Sequence, residues 1–174
     1  MSLTVRRLVP AEAGAYRALR LEALRSCPEA FGTSLEEARA VPMLEQANRL
    51  QYNTNFGAFV DGALVGILTY VAEEGEKVGH RAWLMGVYVQ PAHQGGGAAR
   101  ALLAAALAEA GADGIAQLEL HVSEAAPRAR AFYLREGFVE VGRSPRALRV
   151  DNRYLDELHM LRRLDALEGR AAGG

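Results

Sequence analysis

A run of three glycines between a strand pattern and a helix pattern constrains this chain more than any other feature. Residues 84–90 form an alternating apolar run, Pro91 stops it, and the glycines at 95–97 lead into an Ala- and Leu-rich segment with helical spacing. Glycine lets the backbone come close to a bulky ligand, and the helix that follows offers unpaired N–H groups and the positive end of its dipole. The order strand, glycine loop, helix therefore predicts a site for a phosphate or a pyrophosphate.

Two other glycine-loop motifs fit this stretch less well. A P-loop needs Lys and then Ser or Thr after its last glycine, whereas Ala98, Ala99 and Arg100 follow here. A dinucleotide-binding loop that starts at Gly95 needs a small residue at position 100, where Arg100 would obstruct close packing of helix on strand. Glu119 lies near the sequence distance at which such a loop has its ribose-binding acid. A nucleotide-dependent oxidoreductase therefore stays open as an alternative.

Size and charge limit the classes of protein that fit. The 174 residues are enough for one domain with a sizeable core, and 20 Lys and Arg against 21 Asp and Glu leave almost no net charge. Because a global basic field is missing, nucleic acid is not an expected partner. The chain starts without a signal-peptide pattern, and its most apolar segment is too short to cross a bilayer. We therefore expect a cytoplasmic protein that does not bind a membrane.

Cysteine and histidine give no sign of a metal site or of a reactive thiol. Cys27 is the sole cysteine, which excludes an internal disulfide and a multi-cysteine zinc site. We expect it to be a small buried residue, as single cysteines usually are. Metal-ligand spacing is also missing among the four histidines, which are His80, His93, His121 and His159. The sequence therefore predicts no metal.

The rest of the chain predicts a mixed sheet flanked by helices. Strand patterns cover 4–8, 56–60, 64–71, 81–90, 117–122, 138–141 and 154–161. Helix patterns cover 11–26, a stretch from 34, 42–50, 98 to about 110, and 128–136. We expect a hairpin turn at Asp61-Gly62, a bulge or a close backbone approach at Gly86, and the end of a strand at Ser144-Pro145. Strand, helix and strand around the glycine loop predict a parallel crossover.

Two motifs follow each other in the second half of the chain. The glycine loop contains Gln94-x-x-Gly97-x-Ala99, and a later segment reads Ala129-x-x-Phe132-Tyr133-x-x-x-Gly137-Phe138. The first resembles the pyrophosphate-binding loop of the GNAT superfamily of N-acetyltransferases. The second resembles the helix, turn and strand that carry the tyrosine general acid of that family. With the elements between and around them, the resemblance covers roughly residues 5–161.

The resemblance implies a fold, a co-substrate and a reaction. The fold is the GNAT-like acyl-CoA N-acyltransferase fold, an α/β single domain over 1–164 whose mixed central sheet is splayed between its fourth and fifth strands. A flexible, Gly- and Ala-rich tail is expected at 165–174. The co-substrate is acetyl-CoA, whose acetyl group passes directly to a primary amine of a small-molecule or peptide acceptor in a ternary complex. A homodimer is compatible with the family.

The resemblance also implies which residues act. Tyr133 is the expected general acid toward the departing thiolate. Contacts with acetyl-CoA are expected from a strand end, from the glycine loop with the start of its helix, and from the end of the next strand: Val87, Tyr88, Val89, Gln94, Gly95, Gly96, Gly97, Ala98, Ala99, Arg100 and Ser123. The family often has an asparagine where Ala126 stands, so Ser123, backbone or water must supply that contact here.

Transfer to an amine requires removal of a proton, because an alkylamine with a pKa of about 10.4 is charged at neutral pH. Glu36 and Glu37 are candidates for this role, either directly or through water. The capping-box spacing of Ser34 and Glu37 explains these carboxylates equally well. Three residues on later strands are further candidates to line an acceptor pocket: His121, Glu157 and His159.

Three other functions stay open at this point, and each predicts a different response to ligands. A nucleotide-dependent oxidoreductase would be stabilised by NADH rather than by acetyl-CoA. A non-catalytic acyl-CoA sensor would bind acetyl-CoA but release no thiol with any amine. A partner-binding module would respond to neither ligand.

Overall fold

One seven-stranded sheet organises the protein, and the computed structural model describes residues 1–165 of it. The strands are β1 (Leu3–Arg7), β2 (Thr54–Val60), β3 (Ala63–Ala72), β4 (Arg81–Val89), β5 (Gln117–Ser123), β6 (Val139–Val150) and β7 (Arg153–Arg163). Their order is β1-β2-β3-β4-β5-β7-β6, and only β4 and β5 pair in parallel. The tail predicted at 165–174 lies, from residue 166 onward, outside the described residues.

Helices pack on both faces of this sheet. They are α1 (Ala13–Ser26), α2 (Leu35–Ala40), α3 (Met43–Tyr52), α4 (Ala98–Ala112) and α5 (Pro127–Arg135). Leu68 of β3 belongs to the same buried cluster as Leu102 of α4, whereas the adjacent Ile67 clusters with Leu19 of α1. Because successive strand residues point to opposite faces, α4 and α1 cover opposite sides of the sheet. None of the helices between residues 1 and 165 is long and apolar enough to cross a membrane.

The predicted hairpin, bulge and crossover are confirmed. Asp61 and Gly62 join β2 to β3 with positive φ angles of 49° and 85°. In β4, Gly86 has a φ of 58°, and the register shift leaves Gly86 and Val87 opposite the single Leu68. The parallel pairing of β4 with β5 across α4 is the expected crossover. The fold is thus the predicted single-domain α/β architecture with a mixed sheet.

The predicted strand end at Ser144-Pro145 is wrong. Strand β6 continues to Val150, with a register shift against β7 between Ser144 and Leu148. Proline cannot donate to a strand ladder, but a bulge removes that requirement. The irregular segment is held in place by Arg146, which has a φ of 54° and whose N–H donates to Asp156 Oδ1 at 2.9 Å.

The sheet opens in its middle, between β4 and β5. These strands pair over only three rows, from Arg81 with Gln117 to Trp83 with Glu119. Residues 84–89 of β4 and 120–123 of β5 have no ladder pairing with each other, and we call these two segments the open seam. The predicted splay between the fourth and fifth strands is therefore confirmed.

A buried ion pair fastens the closed end of the open seam. Glu119, only 2 % exposed, accepts hydrogen bonds from Arg81 Nε at 3.1 Å and from Gln117 Nε2 at 2.6 Å. Burial raises the pKa of Glu119, but these hydrogen bonds outweigh it, so the pKa lies below its usual value. Because Glu119 is buried and already paired, it is poorly placed to bind a ribose, which weakens the oxidoreductase interpretation.

We predict that Glu119→Gln lowers the free energy of unfolding by about 2 kcal/mol at pH 7, because Arg81 loses its charged partner. Since the folded-state pKa of Glu119 is depressed, its contribution is full above the unfolded value of about 4.3 and is lost as the pH falls through the folded value. Urea unfolding at several pH values measures this, with Glu74→Gln at an exposed position as control. Equal stability of wild type and Glu119→Gln at pH 7 would contradict the prediction.

Candidate active site

The open seam connects directly to the glycine loop, because β4 ends at Val89 and α4 begins at Ala98. Val89 is buried against the α4 side of the sheet and Val87 packs against the same cluster. Tyr88 points to the opposite face, where its hydroxyl donates to Glu22 at 3.0 Å. Burial, together with Glu22, raises the pKa of Tyr88 to about 12. Only the backbone of Tyr88 therefore lies on the seam.

The glycine loop has the backbone conformation that an anion site needs. Gly95 and Gly97 have φ angles of 79° and 87°, and Gly97 is the N-cap of α4. No side chain caps this helix, so its first N–H groups lack an intrahelical partner. Gln94 fixes the loop by donating from Nε2 to the Val89 carbonyl at 3.0 Å. Residues 94–97 are exposed while Ala98 is buried, so the loop presents backbone rather than side chains to solvent.

Arg100 and Ser123 each make a contact within the protein. Arg100 Nε donates to Glu136 Oε1 at 3.1 Å, which ties the start of α4 to the end of α5. Ser123 is buried, and its Oγ accepts a hydrogen bond from the Ala125 N–H at 3.2 Å. At Ala126, the N-cap of α5, no side chain caps the helix. The contact that an asparagine makes in the family therefore has no side-chain replacement at this position.

Tyr133 lies in the buried cluster on the α4 side of the sheet, together with residues of β4 and β5. Its ring packs edge-on against Phe132 and Phe138, with centroid distances of 5.2 and 5.5 Å. Burial raises the pKa of the Tyr133 hydroxyl, which keeps it protonated at neutral pH. The residue can therefore donate a proton but cannot act as a resident base.

A cavity of about 930 Å³ opens on the other side of the seam, between α1, α2, α3 and the sheet. Strand β4 contributes four consecutive residues to its wall, from Trp83 to Gly86. The other strand residues in the wall are Asn55 of β2, Thr69 of β3, His121 of β5 and Glu157 of β7. The cavity thus meets β4 where that strand leaves β5, and the glycine loop lies at the far end of the same seam.

Comparisons with known proteins agree with this geometry. The model of the acetyltransferase (GNAT) family matches residues 17–138, which is most of the chain. This protein belongs to the GNAT family. A search of curated proteins gave no match. The co-substrate of GNAT acetyltransferases is acetyl-CoA.

Solved GNAT structures share the fold over nearly the whole chain. A GNAT-family acetyltransferase from Streptococcus pneumoniae is 23 % identical, with a TM-score of 0.80 and coverage of 94 % of this chain and 100 % of that one. A ribosomal-protein-alanine N-acetyltransferase from Brucella melitensis is 26 % identical, with a TM-score of 0.75 and coverage of 92 % and 99 %. A putative acetyltransferase from Salmonella typhimurium, solved with its cofactor acetyl-CoA, is 21 % identical, with a TM-score of 0.79 and coverage of 99 % and 100 %.

Of the two glutamates considered as bases in this GNAT protein, only Glu37 reaches the cavity. It closes the predicted capping box: the Ser34 N–H donates to Glu37 Oε2 at 2.7 Å, and the Glu37 N–H donates to Ser34 Oγ at 3.1 Å. These hydrogen bonds hold the pKa of Glu37 below its usual value, which weakens it as a base. Glu36 pairs with Arg39 on the exposed side of α2 and is not part of the cavity wall.

His121 and Glu157 line the cavity, whereas His159 lies behind His121. The rings of Trp83, His121 and His159 are in mutual contact, with centroid distances between 5.1 and 5.5 Å. His159 Nε2 is buried, 3.8 Å from Glu119 Oε1, and has no hydrogen-bond partner in the part of the chain that the structure describes. Burial lowers the pKa of His159 despite the nearby carboxylate. Desolvation therefore favours the neutral form of His159 within this aromatic cluster.

Two features of this region were not anticipated from the sequence. Cys27 is exposed rather than buried, because it sits in the turn between α1 and the short helical turn Pro28–Ala30. Arg20 lines the cavity, although no motif marks it. The sequence marks Arg20 only as a charged residue next to Leu19, on the helix face that packs on the sheet. Within residues 1–165, no group of three or more His, Cys, Asp or Glu is placed to hold a metal ion.

We predict that His159 titrates below the ordinary histidine value of about 6.5, because the buried ring is easier to keep neutral. Since the unfolded chain then binds more protons, this residue lowers the free energy of unfolding as the pH falls below about 6.5. NMR of the histidine rings measures the pKa, and loss of one signal in His159→Gln assigns it. Glu119→Gln should depress the value further. A pKa at or above 6.5 would refute the prediction.

Proposed function

We propose that this GNAT protein transfers the acetyl group of acetyl-CoA directly to a primary amine. The observation that carries the proposal is the open seam, which has an anion-binding helix start at one end and a cavity at the other. An extended ligand can lie along unpaired β4 backbone in such a seam, and a second reactant can approach from the cavity. The Salmonella relative solved with acetyl-CoA supports acetyl-CoA as that ligand.

The chain offers backbone groups of the right kind for acetyl-CoA. The N–H groups of Gly95 to Arg100 would bind the diphosphate, because helix dipole and unpaired donors act together there. The backbone of Val87 to Val89 would pair with the amide groups of the pantetheine arm as a neighbouring strand does. The Arg100 side chain, which reaches Glu136, adds positive charge beside the diphosphate. Ser123 closes the β5 side of the seam.

Bound acetyl-CoA supplies an acetyl group activated as a thioester. In the transfer, the amine lone pair forms a C–N bond while the C–S bond breaks and its electron pair leaves on sulfur. We infer that Tyr133 donates its hydroxyl proton to this departing thiolate. The disturbed backbone at Gly86, in the middle of the seam, supplies N–H groups for the negative charge that develops on the acetyl oxygen.

The proton that the amine loses must leave through the cavity. His121 and Glu157 line it, and Glu37 borders it with a carboxylate already engaged in the capping box. We propose that Glu37 takes part only through water, and that Glu36 stays outside the reaction because it faces solvent. The sole cysteine, Cys27, does not line the cavity. This supports direct transfer in a ternary complex rather than through an acetylated thiol.

The proposal is tested by thiol release from acetyl-CoA in the presence of a mixed library of amines. In parallel, the change in Tm is measured with acetyl-CoA and, separately, with NADH. Stabilisation by acetyl-CoA together with amine-dependent thiol release supports an acetyltransferase. Stabilisation without release from any amine would favour a non-catalytic acyl-CoA sensor. A cytoplasmic location and a homodimer stay predictions that fractionation and sedimentation measure.

We predict that Tyr133→Phe lowers kcat by on the order of 10²-fold, the usual contribution of a positioned acid, because only the hydroxyl is lost. The Kd of acetyl-CoA should change little, since the ring keeps its packing. Stopped-flow thiol release and calorimetry measure the two quantities. Tyr52→Phe, at an exposed position on α3, is the control. Full turnover in Tyr133→Phe would remove this residue from the mechanism.

We predict that Gly97→Val raises the Kd of acetyl-CoA at least tenfold. A β-branched residue is strained at a φ of 87°, so the loop must give up the conformation that directs its N–H groups outward. Gly111→Ala in the last turn of α4, where a Cβ meets no atom within 4 Å, is the matched control. Calorimetry gives the affinity and circular dichroism verifies the fold. Unchanged affinity in a folded Gly97→Val would place the diphosphate elsewhere.

A further inference from the structure

Arg20 is a cation in the cavity wall. Its Nη1 atom is buried and has no hydrogen-bond partner among residues 1–165. The guanidinium lies over the ring of Phe31, with Cζ 4.8 Å from the ring centroid. Gly86 of β4 lies next to it, because a Cβ built there would be in van der Waals contact with Nη1, at 3.6 Å. The side chain thus occupies a defined position beside the bulge of the open seam.

The neighbouring charges do not neutralise Arg20. Glu22 lies two residues along the same helix, but its carboxylate accepts hydrogen bonds from the Tyr88 hydroxyl and from Gln90 Nε2. Glu37 is held in the capping box. Burial lowers the pKa of Arg20, and the one side chain that opposes this is Tyr16, which is not a carboxylate. The two other arginines of the cavity wall have partners: Arg17 donates to the Arg39 carbonyl and Arg49 pairs with Glu45.

Keeping the Nη1 donor away from water without a partner costs stability, because buried polar groups are normally hydrogen-bonded. An orphaned buried donor in a cavity therefore indicates a ligand group that completes it. The planar fork of arginine matches a carboxylate, which accepts two parallel N–H bonds from it. The rest of the wall does not select one kind of side chain, because apolar residues such as Leu21 and Phe31 stand beside polar ones such as Asn55 and Thr69.

We propose that Arg20 binds the carboxylate of the acceptor, so that the acceptor is a free amino acid. The inference rests on the proposed acetyl transfer and names its substrate class. Arg20 lies beside Gly86, where the acetyl group is expected to react, so the carboxylate and the amine must be only a few bonds apart. An α-amino acid meets this condition. The N-terminus of a protein does not, because its first carboxyl group is consumed in a peptide bond.

The test uses pairs of ligands that differ only in the carboxylate: leucine, methionine and phenylalanine against their C-terminal amides. Binding is measured by calorimetry with unacetylated CoA present, and turnover is measured separately by thiol release from acetyl-CoA. Wild type should bind and acetylate each acid at least tenfold better than its amide. The amide has the less basic amine, so a preference for the acid cannot come from easier deprotonation.

Arg20→Met should abolish this preference while leaving the Kd of acetyl-CoA unchanged, and Arg20→Lys should keep part of it. Because an unpaired buried charge is removed, the Tm of Arg20→Met should equal or exceed that of wild type. Arg25→Met, which removes an exposed arginine from the same helix, should retain the full preference. A structural role of Arg20 would instead lower Tm in Arg20→Met without a selective effect on the acids.

Two outcomes overturn the inference and leave acetyl transfer intact: thiol release that favours the amides in wild type, or an unchanged preference for the acids in Arg20→Met. Acid binding that depends on Arg20, without thiol release from any amine, would support the carboxylate site and contradict the proposed transfer. The two proposals therefore fail separately.

Discussion

The separation of β4 from β5 is the constraint on which the rest of this structure depends. Parallel pairing stops after three rows, and the Arg81–Glu119 ion pair holds those rows together in the core. Beyond them the backbone edges of both strands are free to pair with something other than each other. An unpaired parallel edge in the centre of a sheet is costly unless a ligand satisfies it. The fold thus provides an extended, polar slot where most sheets have a closed ladder.

The two faces of the sheet contribute different chemistry to this slot. On the α4 side, a helix start behind a glycine loop favours a diphosphate, and Tyr133 holds a proton in apolar surroundings. On the α1 side, a cavity presents the unpaired Arg20 beside Gly86. Gly86 belongs to both, because its bulge disturbs β4 within the seam and the Arg20 guanidinium lies next to it. In the proposed reaction, acetyl-CoA binds from one face of the sheet, the amino acid binds from the other, and the acetyl group passes between them.

The part of the site that the sequence predicts is local. The loop at Gly97 and the helix at Tyr133 are short segments whose residue order sets the backbone conformation directly, so their motifs and the splayed fold could be recognised. Arg20 could not, because its role depends on Phe31 and Gly86, which come together only in the folded chain. Pro145 led to a wrong strand end, because the proline is accommodated in β6 by a bulge that depends on pairing with β7. Burial and pairing of single charges are tertiary properties that periodicity does not encode.

The most direct test of the account is hydrogen–deuterium exchange with and without acetyl-CoA, followed by mass spectrometry of peptides that cover the chain. The account predicts slower exchange at the amides of residues 95–100 and in residues 86–89, since these N–H groups would bind the diphosphate and the pantetheine arm. Distant strands such as β1 should be unaffected. Protection confined to other segments, with the glycine loop and the β4 side of the seam exchanging as before, would contradict it.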